Sequence, residues 1–238
     1  MHFLRRHPWT LACLLLAALF LLFPGIDLAV SDLFFEPDGG FVWKKAAPAL
    51  WSYEGVKVLR DVLVGSLCVV IVLSLLLFRR GLAPLLPRAA FLFLVLALGP
   101  GLVVNGLFKD QFGRARPDKV TEFGGTSPFT PAFVVSQACD SNCSFVSGHA
   151  SMGFYLLSFG FVDPRRRRWW MAAGLLAGGY AGSMRMVQGA HFLSDVVFAF
   201  FAVYATALLV DAVFRRMGWL PEAPPADVEA GPPAPATS

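Results

Sequence analysis

Long apolar runs separated by short charged segments dominate the pattern of this chain. A helix needs roughly 20 apolar residues to cross about 30 Å of hydrocarbon, so runs near that length predict membrane spans. We therefore expect an all-α integral membrane protein with six transmembrane helices. The predicted spans cover residues 9–30, 58–78, 89–108, 149–162, 169–187 and 194–214. The fourth run is short, and charged or proline-marked loops on both sides define it.

The composition supports a membrane protein. Of the 238 residues, 56% are apolar or aromatic and 15% are charged, with a mean hydropathy of +0.62. Soluble domains average about 45–50% apolar and about 25% charged residues. The composition excludes an ordinary soluble enzyme, a disordered chain and a nucleic-acid-binding module.

The positions of the arginines predict the topology. Cytoplasmic loops of membrane proteins carry excess Lys and Arg. The arginine clusters lie at 5–6, 79–88, 165–168 and 215–216. All of them fall on one side of a six-span arrangement, so we expect both termini in the cytoplasm and the loops 32–57, 109–148 and 188–191 outside.

The two ends of the chain differ in composition from each other. Residues 1–220 form one six-span domain, and the proline- and alanine-rich residues 221–238 are predicted to be a disordered cytoplasmic tail. A cleaved signal peptide is an alternative for the N-terminus. Pro24 and Gly25 instead indicate the end of a helix.

Aromatic residues before the second span and glycines in the fifth span predict structural roles. Trp43, Trp51 and Tyr53 surround two lysines and predict an interfacial segment at headgroup depth. Glycines recur at four-residue spacing at 174, 178 and 182, which permits close helix packing within the chain.

Polar residues cluster at the predicted outward ends of the helices. Ionisable groups at membrane depth are costly, so each is a candidate for function. The cluster contains Lys109, Arg114, Arg116, Ser147, Gly148, His149, Arg185, His191 and Asp195. His2 and His7 lie in the N-terminal tail and are interpreted as bystanders.

This cluster predicts a site for a phosphoryl group. Lysine, arginine and the N–H groups of a helix N-terminus bind anions, and the arginine fork matches phosphate oxygens. Ser147 is the expected N-cap of the fourth helix, which leaves the Gly148 and His149 N–H groups free. Several cations exceed what one carboxylate needs and suit the charge of a phosphoryl transition state.

The histidines complete a two-histidine mechanism. His191 and Asp195 are four residues apart, so the carboxylate is expected to orient the imidazole as a nucleophile if the helix starts near His191. His149 is the expected proton donor to the leaving group. Zinc ligation by these residues is the alternative, and the surrounding cations argue against it.

The same residues resemble the type 2 phosphatidic acid phosphatase (PAP2) superfamily, whose motifs are KxxxxxxRP, PSGH and SRxxxxxHxxxD. The first motif is complete from Lys109 to Pro117, and the second is present with Val146 in place of proline. The third has Met184 in place of serine, with Ser183 one position earlier.

The resemblance implies metal-independent hydrolysis of a lipid phosphate by water through a phosphohistidine, without a cofactor. In this reading His191 attacks phosphorus, Asp195 orients it, and His149 protonates the leaving oxygen. The predicted phosphate-binding residues are Lys109, Arg116, Ser147, Gly148 and Arg185. Arg114 is outside the motif, and two roles stay open for it: binding a headgroup phosphate, or simple solvation.

The loop that precedes His149 carries the prediction of the substrate. The loop from Glu122 to His149 looks like bacterial branches that dephosphorylate lipid A, which implies a multi-pass protein of the inner membrane with its site facing the periplasm. Phosphatidylglycerophosphate and undecaprenyl diphosphate phosphatases are alternatives, as are a lipid phosphotransferase and a non-enzymatic anion or lipid carrier. A periplasmic loop would permit a disulfide between Cys139 and Cys143, with two free thiols as the alternative, whereas Cys13 and Cys68 are interpreted as apolar packing.

Overall fold

The computed structural model describes residues 8–77 and 81–221, which form a helical bundle. The predictions for the arginines at 5, 6, 79 and 80 and for the tail from 222 to 238 lie outside these residues. The α-helices are α1 Pro8–Leu22, α2 Gly25–Asp32, α3 Ala47–Leu76, α4 Leu85–Leu96, α5 Lys109–Phe112, α6 Gly148–Phe154, α7 Phe159–Val162, α8 Arg167–Val187 and α9 Leu193–Arg216. A π-helix, Ala97–Phe108, continues α4. Single 3₁₀ turns are Pro117–Lys119, Thr121–Phe123, Tyr155–Ser158 and Pro164–Arg166.

The first predicted span is not one helix. Helices α1 and α2 meet at an angle of 82°, so the predicted span over 9–30 is a bent pair, and the helix end indicated by Pro24 and Gly25 lies at the break. Pro24 lies at the break, and proline lacks the N–H that would continue the hydrogen-bond ladder. After α2, strands β1 (Phe35–Glu36) and β2 (Gly40–Phe41) form a short antiparallel hairpin.

The second predicted span begins earlier than expected. Helix α3 starts at Ala47 rather than at residue 58, and Pro48 lies in its first turn, where its fixed φ favours helix initiation. Trp51 and Tyr53 therefore belong to α3 rather than to a loop, and their position at headgroup depth stays a prediction.

The membrane character of the bundle is confirmed. Three helices within the described residues are long and apolar enough to cross a bilayer, and the bent pair α1–α2 makes a fourth if counted as one span. The three are Ala47–Leu76, Leu85–Phe108 and Leu193–Arg216. The predicted fourth span is divided into α6, a 3₁₀ turn and α7, so the count of six stays a prediction.

The π-helix accommodates a proline inside the third span. Pro100 cannot donate a backbone hydrogen bond, and its ring crowds the preceding turn. The Asn105 side chain donates to the Pro100 carbonyl at 2.6 Å. Asn105 is thereby held at the end of the bundle that carries the candidate site.

The glycines of α8 permit close packing within the chain, as predicted. A β-carbon at Gly178 would overlap the ring of Phe154 in α6, and one at Gly182 would overlap Val196 in α9. A β-carbon at Gly174 would crowd Leu157. Helix α8 therefore holds in fixed positions α6, which contains His149, and α9, which begins just after His191.

Candidate active site

Three separate segments converge at one end of the bundle. They are the end of the π-helix with α5, the start of α6, and the turn between α8 and α9. Helix α9 has 24 residues and is about 36 Å long at 1.5 Å per residue. Arg215 and Arg216 lie in its last turn, so these cations are at the opposite end from the site.

The turn between α8 and α9 places Arg185 and His191. Gly189 adopts a positive φ of 67°, which glycine tolerates because it has no β-carbon. The Ala190 N–H donates to the Arg185 carbonyl at 3.0 Å. A β-carbon at Gly189 would overlap the ring of Phe41, so the β-hairpin packs directly on this turn.

His191 faces Asp195, as the four-residue spacing predicted. Its Nδ1 lies 3.5 Å from Asp195 Oδ2, and both side chains are buried. The two do not share a helical face, because α9 begins at Leu193 and the condition for that arrangement, a helix starting near His191, is not met. Asp195 Oδ2 accepts the N–H of the N-cap residue Phe192 at 2.8 Å and so caps the first turn of α9.

The surroundings of His191 keep its imidazole neutral. Burial is the largest influence and lowers the pKa of His191 to about 4, although the Asp195 carboxylate opposes this shift. Lys109 and Arg185 lower the pKa further by charge repulsion. Since Nδ1 faces Asp195, the other ring nitrogen, Nε2, is the one available for attack on an electrophile.

Asp195 is fixed by donors from the start of its own helix and from the segment that leads into α6. In addition to the Phe192 N–H, its Oδ2 accepts the Ser144 hydroxyl at 2.5 Å. Its backbone carbonyl accepts the Ser147 N–H at 3.0 Å. The first turn of α9 is thus joined directly to the N-cap of α6.

The N-terminus of α6 has the predicted cap. Ser147 is the N-cap, and its hydroxyl accepts the Ala150 N–H at 3.4 Å. The Gly148 and His149 N–H groups lie in the first turn, where a helix supplies no acceptor of its own. A β-carbon at Gly148 would lie 3.3 Å from Lys109 Nζ, so glycine permits the ammonium group to approach these amides.

His149 lies against the ring of Tyr53, a residue predicted to lie in a loop. The imidazole stacks on Tyr53 of α3, with ring centroids 4.6 Å apart. The Arg185 guanidinium lies 5.0 Å from the centroid of the same ring and donates to Gln188 Oε1 at 2.5 Å. Both His149 Nε2 and Arg185 Nε are buried without a hydrogen-bond partner among the described residues, which leaves two polar atoms available to a ligand.

Lys109 and Arg116 are bridged by one residue. Lys109 Nζ donates to Asn142 Oδ1 at 3.0 Å. Arg116 Nη2 donates to the Asn142 backbone carbonyl at 2.8 Å. Asn142 has a positive φ of 50° and lies between Cys139 and Cys143, which form a disulfide with Cα atoms 5.7 Å apart.

Arg114 has neither of the roles left open by the sequence. Its side chain is 1% exposed, so it is not solvated and does not reach a headgroup. It instead forms ion pairs with Asp195 and with Asp27 of α2. Sequence spacing missed this role because Asp27 is 87 residues away.

A cleft of about 340 Å³ opens beside His149, Lys109 and Gly148. It runs between α3, the α4 and π-helix segment, and α6. Apolar side chains line most of it, and they include Val64, Phe93, Leu96, Ala97 and Met152. An anion held by the cations at one end could therefore carry a hydrophobic group along the other.

Comparison with known proteins decides the family. The profile of the PAP2 superfamily matches residues 89–219, more than half of the chain. The chain belongs to the PAP2 superfamily. The matched region contains all three motifs predicted from the sequence.

Several curated relatives of this PAP2 protein carry lipid A phosphatase names. It is 49% identical to a lipid A 4′-phosphatase of Francisella tularensis subsp. novicida, over 54% of this chain and 60% of that protein. It is 34% identical to a lipid A 4′-phosphatase of Rhizobium leguminosarum, over 76% of this chain and 84% of that protein. A lipid A 1-phosphatase of Rhizobium johnstonii is 37% identical over 55% and 50% of the two chains. No solved structure matches. The predicted branch of the superfamily is confirmed.

The two departures from the PAP2 motifs have different surroundings. Val146 is fully buried in the main hydrophobic core beside the α6 N-cap. Ser183 donates its hydroxyl to the Gly179 carbonyl of its own helix at 2.8 Å. Ser183 therefore does not take the place of the motif serine, whose position is occupied here by Met184.

The metal alternative gains no structural support. No group of three or more His, Cys, Asp or Glu side chains within residues 8–77 and 81–221 is arranged to hold a metal ion. Metal-independent chemistry stays a prediction of the PAP2 resemblance and of the cations around the histidines.

The disulfide offers a test of the cation bridge. We expect the Cys139→Ser, Cys143→Ser double variant to lose about 10–100-fold in kcat/KM, since freeing Asn142 misplaces Lys109 and Arg116. Phosphate-release kinetics would measure the loss. Cys68→Ser, a change at an exposed free thiol, should retain full activity. Equal activity of all three proteins would contradict the role of Asn142.

Proposed function

We propose that this PAP2 protein is a lipid A 4′-phosphatase that acts through a phosphohistidine at the periplasmic face of the inner membrane. The observation that carries the proposal is the buried His191–Asp195 pair, 3.5 Å apart, which shares one end of the bundle with His149 and three cations. The names of the relatives supply the substrate class.

The first chemical step forms a phosphorus–nitrogen bond. His191 Nε2 attacks the phosphorus atom, and the bond from phosphorus to the sugar oxygen breaks. His149 transfers a proton to that oxygen, which leaves as the lipid hydroxyl. The phosphoryl group remains on His191, whose developing positive charge is stabilised by Asp195.

The second step restores the enzyme. A water molecule attacks phosphorus as His149 removes its proton, and the phosphorus–nitrogen bond breaks. Inorganic phosphate is released, and His191 and His149 return to their starting protonation states. The same histidine thus serves as acid in the first step and as base in the second.

The cations bind the phosphoryl oxygens in both steps. Lys109, Arg116 and Arg185, with the N–H groups at the start of α6, supply donors to an anion whose charge spreads over three oxygens in the transition state. Arg185 Nε and His149 Nε2, both buried without partners in the described structure, are the atoms we assign to the substrate.

The apolar cleft supports a lipid substrate. It begins at His149 and Lys109 and continues past Phe93 and Leu96 between helices that are apolar enough to cross a bilayer. The acyl chains of a membrane lipid already lie in hydrocarbon, so this lining lets them stay in an apolar environment while the phosphate reaches the cations.

The positions of the arginines support the proposed periplasmic orientation. The cluster at 165–168 and the pair at 215–216 lie at helix ends opposite the site, where the positive-inside rule predicts cytoplasm. In a Cys13→Ser, Cys68→Ser background, Lys119→Cys should react with a membrane-impermeant thiol reagent in cells with a permeabilised outer membrane. Arg166→Cys should react only after lysis, and the reverse pattern would refute the orientation.

A substrate panel tests the function. Purified protein in detergent would be incubated with lipid A, phosphatidylglycerophosphate or undecaprenyl diphosphate, and released phosphate would be measured. We expect release from lipid A, loss of the 4′-phosphate by tandem mass spectrometry, and no effect of EDTA. The His191→Ala variant is the matched control.

Each alternative predicts a different outcome of this experiment. Preference for either of the other lipids would replace the proposed substrate. Loss of the 1-phosphate would favour the activity named for the Rhizobium johnstonii relative. Transfer of phosphate to a lipid or sugar would indicate a phosphotransferase, and binding without turnover would indicate a carrier.

A further inference from the structure

Two buried charged residues have no part in the chemistry above. Asp27 and Arg114 are each 1% exposed, and an ionised side chain is rarely buried without a specific partner. Arg114 follows α5, whereas Asp27 lies on α2 beyond the 82° bend. The family profile begins at residue 89, so it includes Arg114 and leaves out Asp27.

Arg114 joins Asp27 to the carboxylate that faces the nucleophile. Its Nη1 lies 2.6 Å from Asp195 Oδ1, and its Nη2 lies 2.8 Å from Asp27 Oδ2. Its Nε donates to the Thr130 carbonyl at 2.7 Å. The guanidinium is also packed 4.2 Å from the ring centroid of Phe192, the residue after His191.

Asp27 also contacts the start of α9 directly. Its Oδ1 accepts the Ser194 N–H at 2.9 Å, and its Oδ2 accepts the Ser194 hydroxyl at 2.5 Å. A carboxylate at a helix N-terminus stabilises the helix and fixes its first turn. The bend between α1 and α2 is what brings Asp27 to this position.

The two carboxylate oxygens of Asp195 have different partners. Oδ1 accepts from Arg114, and Oδ2 faces His191 while accepting from Ser144 and Phe192. The arginine favours the ionised form of Asp195 and fixes its plane. Asp27 offsets the charge of Arg114, so the three groups together keep one negative charge next to the imidazole.

We propose that Asp27 and Arg114 are positioning residues that hold Asp195 ionised and oriented on His191, which makes the bent N-terminal segment part of the active site. The proposal rests on the proposed function, because it concerns the same reaction. It extends the site to a part of the chain that the family profile does not cover.

Two single substitutions and their charge-balanced combination test the proposal. We expect Asp27→Asn and Arg114→Gln each to lower kcat about 10–100-fold, as losses of outer partners commonly do, with KM changed less than about threefold. Asp27→Asn, Arg114→Gln together restore one negative charge beside His191. We expect this double variant to exceed Arg114→Gln about tenfold in kcat.

The control is another aspartate–arginine ion pair, which lies far from the site on α9. Asp211 accepts from Arg215 at 2.8 Å at the far end of α9, and Asp211→Asn should leave kcat unchanged. Inhibition by inorganic phosphate would report whether each variant retains a folded binding site. Its inhibition constant should stay within about threefold of the wild-type value in Asp27→Asn.

The outcomes separate this inference from the proposed function. Wild-type kcat in Asp27→Asn, or a double variant no better than Arg114→Gln, would overturn the positioning role while leaving the phosphatase intact. Loss of phosphate inhibition in parallel with kcat would assign Asp27 and Arg114 to folding and also overturn it. A wild-type protein that releases no phosphate from any lipid would overturn the proposed function itself.

Discussion

Replacing His191 by alanine should reduce phosphate release by at least about 10⁴-fold, because removal of the nucleophile eliminates the covalent route. The remaining cations would still bind the substrate, so KM should change little. Turnover of ³²P-labelled lipid A, measured as released phosphate, gives the effect. The neutral imidazole favoured by the buried position of His191 makes this side chain the best candidate for attack on phosphorus.

The covalent intermediate distinguishes a nucleophile from a binding residue. Rapid quenching in alkali should recover label on the wild-type protein as a phosphohistidine, which is stable in base and labile in acid. His191→Ala should carry none. The Ser183→Ala variant, whose hydroxyl bonds its own helix, should label normally. Label retained in His191→Ala would assign the nucleophile elsewhere.

The sequence predicted which residues lie together at one end of the bundle, because the motifs are local. Lys109 and Arg116 are separated by one short segment, and His191 and Asp195 by one turn. Ser147, Gly148 and His149 are consecutive, and an N-cap followed by an apolar run has a defined geometry. Motif spacing and predicted topology therefore brought the correct segments to one end of the bundle.

The missed residues share a different property. Asp27, Tyr53 and Asn142 touch the site through contacts that are distant in sequence or depend on loop conformation. The bend at Pro24 directs Asp27 toward α9, and the early start of α3 brings Tyr53 under His149. Hydropathy reports neither the direction of a bend nor the rotation of a helix.

The role of Arg114 could not be predicted from its position in the sequence. A basic residue two positions before a motif arginine has the same sequence signature whether it is solvated, binds phosphate or is buried. Only its partners decide, and one of them is Asp27, 87 residues earlier. The sequence did hold one signal: Asp27 lies within a predicted span. Acidic residues are rare at membrane depth unless they are paired, so a buried basic partner could have been expected.

Replacing His149 by glutamine should lower hydrolysis of lipid A about 10²–10⁴-fold, the range typical of a lost general acid or base. The departing sugar hydroxyl is a poor leaving group and needs the proton that His149 supplies. Steady-state phosphate release gives the overall loss, and the stacking partner Tyr53 provides the matched control. Tyr53→Phe retains the ring that contacts His149 and should retain most of the activity.

An aryl phosphate separates the two steps of His149. A nitrophenolate leaves without a proton, so His149→Gln should form the phosphohistidine on His191 at nearly the wild-type rate. The second step still needs a base for water, and the intermediate should therefore accumulate. A burst of nitrophenolate with slow later release would show this. Equal losses on lipid and aryl substrates, without accumulated intermediate, would instead assign His149 to phosphate binding, because only a proton-transfer role depends on the leaving group.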